Sequence, residues 1–498
     1  MNIALLAASA VCIAAVIIIA AVITWGIPSL QQITLGSAGK KGKLIAACAA
    51  ALIAVSCALP MGLSPVYNGE IQDHLSQYEL ITEAFLSGHL DFQYDYIDER
   101  LLAMENPYDA AERERLGVYY YWDHAFYDGH YYMYFGVVPV LLTFLPYRVI
   151  TGQALTGYHV TQLFGAIFIA GVFSLFHLLG KRFFKKTPFA LYLLVCSAVS
   201  YLSLWNAVAT PALYGMCIVC ALGLAVWSVY LFVKAVFFIE NENRAIATAA
   251  FAALLGALEF GCRPTVGLSN LLVLPLLYAF LKKRKITVKL LLKLALAALP
   301  YVIVAAGLMG YNYVRFDNPF EFGQSYQLTV TDQSNYGNML AQFSPASLMH
   351  CLYYYLLNFS NPTILPSLGL LISFPLLLAG LALLLVKKNR RILSEAKLTP
   401  LFAYVLLCVF VIILFESLWA PHPTPRYRMD FSWLLGLAAF MMIGCACEAT
   451  EDTAKLSRAL GTLCLITLMA GVLLALYPQN KNFTEYFAPE IKAMLGMK

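Results

Sequence analysis

Long apolar stretches separated by short polar ones set the pattern of this chain. Twelve stretches stand out, at about 2–25, 44–63, 157–180, 189–206, 210–233, 245–260, 265–281, 291–311, 366–386, 399–417, 432–448 and 459–477. A helix needs roughly 17–25 predominantly apolar residues to cross a bilayer. The pattern therefore predicts an all-α polytopic membrane protein of about twelve transmembrane helices. One further apolar run, Tyr134–Ile150, contains Pro139 and Pro146 and reaches only ~25 Å as a straight helix. It is expected to lie at the membrane surface or to be half inserted. The tyrosine-rich run Ala346–Phe359 is expected at the same interface, and the two short runs around Arg263 read as a helical hairpin with a polar tip. Five regions follow: two helices in 1–63, a large loop with its juxtamembrane segment in 64–156, helices in 157–311, a second loop in 312–365, and helices with a short tail in 366–498.

Apolar positions inside the first loop have their own periodicity. Leu75, Tyr78, Ile81, Ala84 and Phe85 recur at helical spacing, and Gly88 ends the run. Asp73 stands where a helix N-cap would. Asn106-Pro107-Tyr108-Asp109 predicts a turn into a short charged helix ending near Arg115, its charges read as a solvated face. Asp128-Gly129, between aromatic-rich arms, predicts a tight hairpin.

Composition agrees. Hydrophobic residues make up 61% and charged residues 12% of 498, against about 25% charged in soluble domains. The formal charge of +5 matters less than its distribution. Basic clusters at Lys40–Lys43, Lys181–Lys186, Lys282–Lys285 and Lys387–Arg391 alternate with acidic segments, so 22 of the 33 Lys and Arg fall on one side. By the positive-inside rule that side is cytoplasmic, which puts both termini and the large loop outside a plasma (inner) membrane. The large loop carries fourteen carboxylates and only four arginines. Cysteines sit mostly within apolar runs, including Cys217 and Cys220, and predict neither disulfides nor a zinc site. The basic clusters are short helix flanks, which argues against nucleic acid as a partner. No Gly-rich phosphate loop is present to hold a nucleotide.

The chemistry-bearing candidates lie at outer ends. Asp73 reads either as a cap or as a general base, with Glu70 and Asp123 as alternatives. Asp123, His124, Asp128 and His130 lack strict metal-ligand spacing, and no metal is expected. The aromatic patch around Trp122, Tyr131 and Tyr132 reads as an interfacial belt or as a platform for sugar rings. Arg263, Arg426 and Arg428 stand near outer membrane ends, where charges are functional or paired. The pairs to weigh are Arg263 with Glu259, and Arg426 or Arg428 with Asp430 or Glu416. In the second loop Glu321 is placed to reach the site, and Asp317 to neutralise Arg315.

A tyrosine at 78 before Ala84-Phe85-Leu86 and Gly88, followed by Asp123, Tyr127, Gly129, Tyr131, Tyr132, Tyr134, Phe135-Gly136 and Pro139, resembles the polytopic GT-C glycosyltransferases. Within them it is similar to the bacterial protein-mannosyltransferase and aminoarabinose-transferase group, family 39-like. The resemblance is strongest over about 68–146 and departs from the family in lacking an evident acidic pair, because His74 follows Asp73. An extra helix, Asn2–Trp25, also precedes the span that would open the family core. It implies a GT-C-like fold and inverting transfer of a sugar from a polyprenyl-phosphate donor to an extracytoplasmic glycan, lipid or protein acceptor. It further implies Asp73 as base with Asp123 as second acid, and Arg426 and Arg263 on the phosphate. Glu70, Trp122, Tyr131, Tyr132, Glu321 and Arg428 would contact substrate, with no cofactor beyond the lipid donor. The rivals are a transporter or flippase for a lipid-linked sugar and a non-catalytic glycan-binding protein.

Overall fold

The computed structural model describes residues 3–63, 76–334, 343–359, 368–419 and 423–476. It is an all-α polytopic membrane protein. Ten helices among the described residues are long and apolar enough to cross a membrane: α1 (Ile3–Gly26), α2 (Lys40–Met61), α7 (Gly157–Phe183), α8 (Phe189–Ala209), α9 (Leu213–Phe237), α11 (Pro264–Leu281), α12 (Val288–Phe316), α16 (Thr399–Leu418), α17 (Pro425–Ala449) and α18 (Thr453–Leu476). The numbers between them belong to α3 (Gln77–Leu86), α4 (Glu99–Ala103), α5 (Ala110–Leu116), α6 (Val140–Thr151), α10 (Glu242–Phe260), α13 (Pro345–Leu352), α14 (Pro375–Leu385) and α15 (Lys387–Glu395).

The two other expected crossings take different forms. Region 245–260 lies within α10, whose ends carry Glu242, Arg244 and Glu259. The run at 366–386 is interrupted at Phe374, which is extended before Pro375 (φ −125°, ψ 83°), as residues preceding proline are. Tyr134–Ile150 does not make a full span: its helix α6 covers Val140–Thr151.

Helix α17 is the axis of the bundle: its apolar window is 100% buried, against 11% for α12, which faces outward. Around α17 pack α8, α14, α15 and α16, while α18 lies on α8 and α10 lies between α9 and α12. The basic segments meet at one end of the bundle. Gly36 N–H donates to the Lys185 carbonyl (2.9 Å), Lys186 N–H to Glu448 (2.7 Å), and Lys388 to the Ala449 carbonyl.

The first loop folds over the opposite end. Asp109 caps α5 by accepting from Glu112 N–H (3.0 Å), and Gly117 closes it in the left-handed region. The hairpin pairs β1 (Ala125–Tyr127) with β2 (His130–Tyr132) across Asp128 and Gly129, both at positive φ, as a two-residue turn of this hand requires. Helix α5 is not merely a solvated face. Arg113 is buried, donates to the carbonyls of Pro107 and Thr329, and lies over Tyr120, tying the two loops together. Tyr94, Tyr121, His124, Phe126 and Tyr131 stack into a shared core, in a loop domain with few aliphatic side chains. The loop docks on the bundle at Gly136, where a Cβ would strike the carbonyls of Gly261 and Cys262. Tyr78 hydroxyl donates to the Gly136 carbonyl (3.0 Å), and Val138 N–H to that of Gly261 (3.1 Å).

Candidate functional site

Asp123 sits just before β1 in a left-handed conformation (φ 63°), uncommon for any residue but glycine, though aspartate tolerates it better than most. The second loop holds it there. Asp123 N–H donates to the Leu328 carbonyl and Leu328 N–H to the His124 carbonyl, both at 2.8 Å, while Ala125 and Gln327 form an antiparallel bridge. Helix α3 adds Gln77, whose amide donates to the Asp123 carbonyl (2.9 Å).

The carboxylate itself is 3% exposed and accepts three side-chain donors. Tyr134 hydroxyl and Gln327 Nε2 reach Oδ1, and Tyr214 hydroxyl, from the start of α9, reaches Oδ2. Burial, with the Asp123 charge beside it, pushes the Tyr134 phenol well above its usual range, so it stays protonated and donates. A carboxylate offers about four lone-pair sites, so one remains for a further proton or donor.

Tyr214 links this acid to a cation. The Arg426 guanidinium lies 4.3 Å from the Tyr214 ring centre and 5.2 Å from that of Tyr427. Among the described residues no carboxylate is paired with it, so its planar fork of N–H donors is uncommitted. Arg263, at the turn between α10 and α11, is committed. Its Nε is 3.0 Å from Asp430 Oδ2, which also accepts from Thr265, and its guanidinium lies 4.8 Å from the Tyr427 ring. Arg263 and Arg426 interact electrostatically, and both act on the Cys217 thiol, which puts them in one region.

The ion pairs differ from those the sequence offered. Glu259 turns from Arg263 to Ser269 (3.0 Å) and Asn270 (2.6 Å) on the neighbouring turn of α11. Asp430 takes Arg263 because the first turn of α17 faces the hairpin tip, with buried Glu416 interacting with both. Arg315 is not neutralised by Asp317. It is buried, donates to the Met133 carbonyl (2.5 Å) and to Asn312 (2.8 Å), and leaves Asp317 to accept from Tyr127 (3.4 Å).

No family model, curated protein or solved structure matches the chain. The site is therefore read from its geometry. Of the sequence candidates, Asp123, Arg426 and Arg263 come together. Trp122, exposed, directly precedes Asp123. Tyr131 lies 1% exposed within the loop core, and Tyr132 is half-buried with its ring against the edge of Phe316. Glu321 accepts from Gly323 N–H (2.7 Å) and Ser325 (3.0 Å), fixing the second-loop turn. Arg428 is buried and donates to the carbonyls of Leu368 (2.6 Å) and Tyr354 (3.3 Å). Asp73 and Glu70 lie outside the described residues. Asp123 turns its side chain to tyrosines, His124 bonds Tyr94 (2.8 Å), and His130 bonds Asp91 (2.9 Å), so three of the four acids and histidines once grouped together have separate partners.

Sequence reasoning missed Gln327, Tyr214 and Gln77. Tyr214 had a faint signal, as a polar aromatic at the start of a span after Pro211. Gln327 had none, since nothing local marks it as the partner of a residue 204 positions away.

Proposed function

We propose that the protein is a membrane glycosyltransferase that moves a sugar from a polyprenyl-phosphate donor to an extracytoplasmic acceptor, with inversion. The observation that carries this reading is the shared tyrosine. Tyr214 bonds the Asp123 carboxylate through its hydroxyl and stacks on the Arg426 guanidinium through its ring. An acid and an uncommitted cation thus stand about one aromatic ring apart, at the end of the bundle remote from the basic flanks.

That pairing suits transfer from a phosphate carrier. An acceptor hydroxyl attacks the anomeric carbon, the bond from that carbon to the phosphate oxygen breaks, and a carboxylate takes the acceptor's proton. The polyprenyl phosphate departs with the electron pair and needs no proton, because a guanidinium stabilises its charge. Arg426 is assigned to the phosphate, and Arg263, paired with Asp430, sets the local potential. Asp73 is the preferred base, with Asp123 able to take that role through its remaining lone-pair site. The extracytoplasmic side follows from the positive-inside rule applied to the basic end.

The test is transfer of labelled sugar from a panel of polyprenyl-phosphate sugars by the purified protein, alongside Asp73→Asn, Asp123→Asn and Arg426→Ala. Transfer lost in Asp73→Asn but retained in Asp123→Asn names the first as base, and the reverse names the second. No transfer from any donor by folded protein overturns the reading. A second reading, a transporter for the same lipid-linked sugar, draws on Glu259, Glu416 and Asp430. All three are buried among apolar helices, where ionisable residues mark transport pathways. Movement of a labelled donor across proteoliposomes without bond cleavage would favour it.

A further inference from the structure

Towards the basic end the bundle holds an open apolar cleft of about 120 Å³ between α9, α10, α11 and α12. The walls are small: Ala249 and Ala253 on α10 face Ala297 and Ala298 on α12, leaving a slot that no side chain fills. Phe280 and Val236 line the basic end, and Tyr301 lines the other, its hydroxyl turned away to Asn270 (2.5 Å). Helix α10 runs from this cleft towards the site and ends at Phe260, seven residues and about 10 Å beyond Ala253, with Arg263 in the turn that follows. The cleft is lined by none of Asp123, Tyr214, Arg263 and Arg426.

Two cations stand at its basic end on lining residues. Arg284 lies 3.6 Å from the Phe280 ring centre and bonds the Phe280 carbonyl (3.1 Å). Lys283 bonds the Val236 carbonyl (3.3 Å) and lies 4.9 Å from the Phe237 ring centre. Burial, with Arg182, Arg284 and Lys397 close by, lowers the Lys283 pKa, so the mouth concentrates positive charge. Lys293, on α12, is already paired with Glu242 (2.7 Å). Glu242 also interacts with Arg284, so one nearby carboxylate faces several cations, and an apolar slot with this surplus of positive charge at its membrane-surface end matches a molecule with a hydrocarbon chain and an anionic head.

We infer that this cleft binds one acyl chain of an anionic phospholipid, whose phosphate is held by Lys283 and Arg284. Basic residues beside a span recognise anionic lipid in this way. The chain lies against Ala249, Ala253 and Ala298 and fills the space that α12 leaves open to the bilayer.

The test uses full-length protein in phosphatidylcholine nanodiscs containing a little phosphatidylglycerol with a photoreactive acyl chain, and crosslinks are mapped by mass spectrometry. Crosslinks should fall on α10 and α12 at the cleft, and unlabelled phosphatidylglycerol should compete roughly thirtyfold better than phosphatidylcholine, the scale two basic residues confer. Lys283→Ser/Arg284→Ser, both at the helix end, should abolish that preference. Ala298→Phe, filling the slot from its lipid-facing side, should remove the crosslinks. Equal competition by both lipids in the wild type, or crosslinks unchanged in both variants, would overturn the inference. Better competition by polyprenyl phosphate than by phosphatidylglycerol would overturn it too, assigning the cleft to an isoprenoid.

Discussion

Replacing Asp123 separates three contributions that meet at one residue. Asparagine keeps the shape and accepts the left-handed backbone, but removes the charge. Hydrogen bonds to charged groups contribute about 1.5–3 kcal/mol and neutral ones about 0.5–1.5, so three weakened bonds cost about 3–4.5 kcal/mol. Hydroxyls that rotate to accept from the new amide lower that figure. Alanine leaves Tyr134, Tyr214 and Gln327 facing no acceptor, at about 1–3 kcal/mol for each buried donor. It keeps the left-handed penalty of a Cβ, about 1–2 kcal/mol, without the short polar side chain that eases it for aspartate. Glycine leaves the same donors without that penalty, offset in part by its greater freedom when unfolded. The expected order of stability is wild type, Asn, Gly, Ala, with glycine above alanine by the order of 1 kcal/mol. Thermal unfolding in detergent reads the order, and labelled-sugar transfer on the same preparations reads function. All three variants should lower transfer, and Asp123→Asn should abolish it only where Asp123 rather than Asp73 is the base. Equal stability of the alanine and glycine variants would refute the backbone argument. Wild-type transfer by Asp123→Asn would refute the need for its charge.

Three further outcomes are expected. Arg426→Ala should lower transfer about 10²–10³-fold, as loss of one charge-stabilising donor does. Arg426→Lys should recover only part of it, since an ammonium cannot bind phosphate through a planar fork; initial rates against donor concentration measure both. Asp430→Leu should destabilise by about 3–5 kcal/mol, because it strands the Arg263 charge in the interior. Asp430→Leu/Arg263→Met should cost less than the sum of its single changes, and additive effects in thermal unfolding would show the pair uncoupled. Burial raises the Glu79 carboxyl above its ordinary 4.5, although it accepts from Gly157 N–H (2.8 Å). Folding therefore favours its protonated form, and stability falls as pH rises above about 4.5 towards the raised value. Glu79→Gln should flatten that part of the melting-temperature profile, and an unchanged profile would assign the slope elsewhere.

Hydrophobic pattern carried the bundle, because span length and basic flanks are local properties of a chain in lipid. The hairpin at Asp128-Gly129 and the cap at Asp109 were legible for the same reason, each being decided by two to four adjacent residues. Partners across the fold were not. Glu259 stood nearer to Arg263 in sequence, yet Asp430 pairs with it, 167 positions away, because helix packing chooses partners by facing rather than by spacing. Arg113 looked solvated from its charged neighbours, and only the carbonyls of Pro107 and Thr329 explain its burial. Tyr131 suited a sugar platform by composition but was needed as core in a loop with little aliphatic material. Arg428 stood in an arginine pair, and only the chain crossing beside it, at Leu368 and Tyr354, shows its backbone-holding part.

The span between Asp123 and Gln327 has a consequence for biosynthesis. Chains emerge N-terminus first, and domains form as units while synthesis continues. Tyr214 follows Asp123 by 91 positions and Gln327 by 204, so the acid lacks its last donor until α7 to α12 have been made. Closing so long an interval defers the contact to a late stage of folding. A partly made chain holds the first loop but not the finished carboxylate, however much of the bundle is in place. Assembly order would thus act as a safety catch on the proposed chemistry.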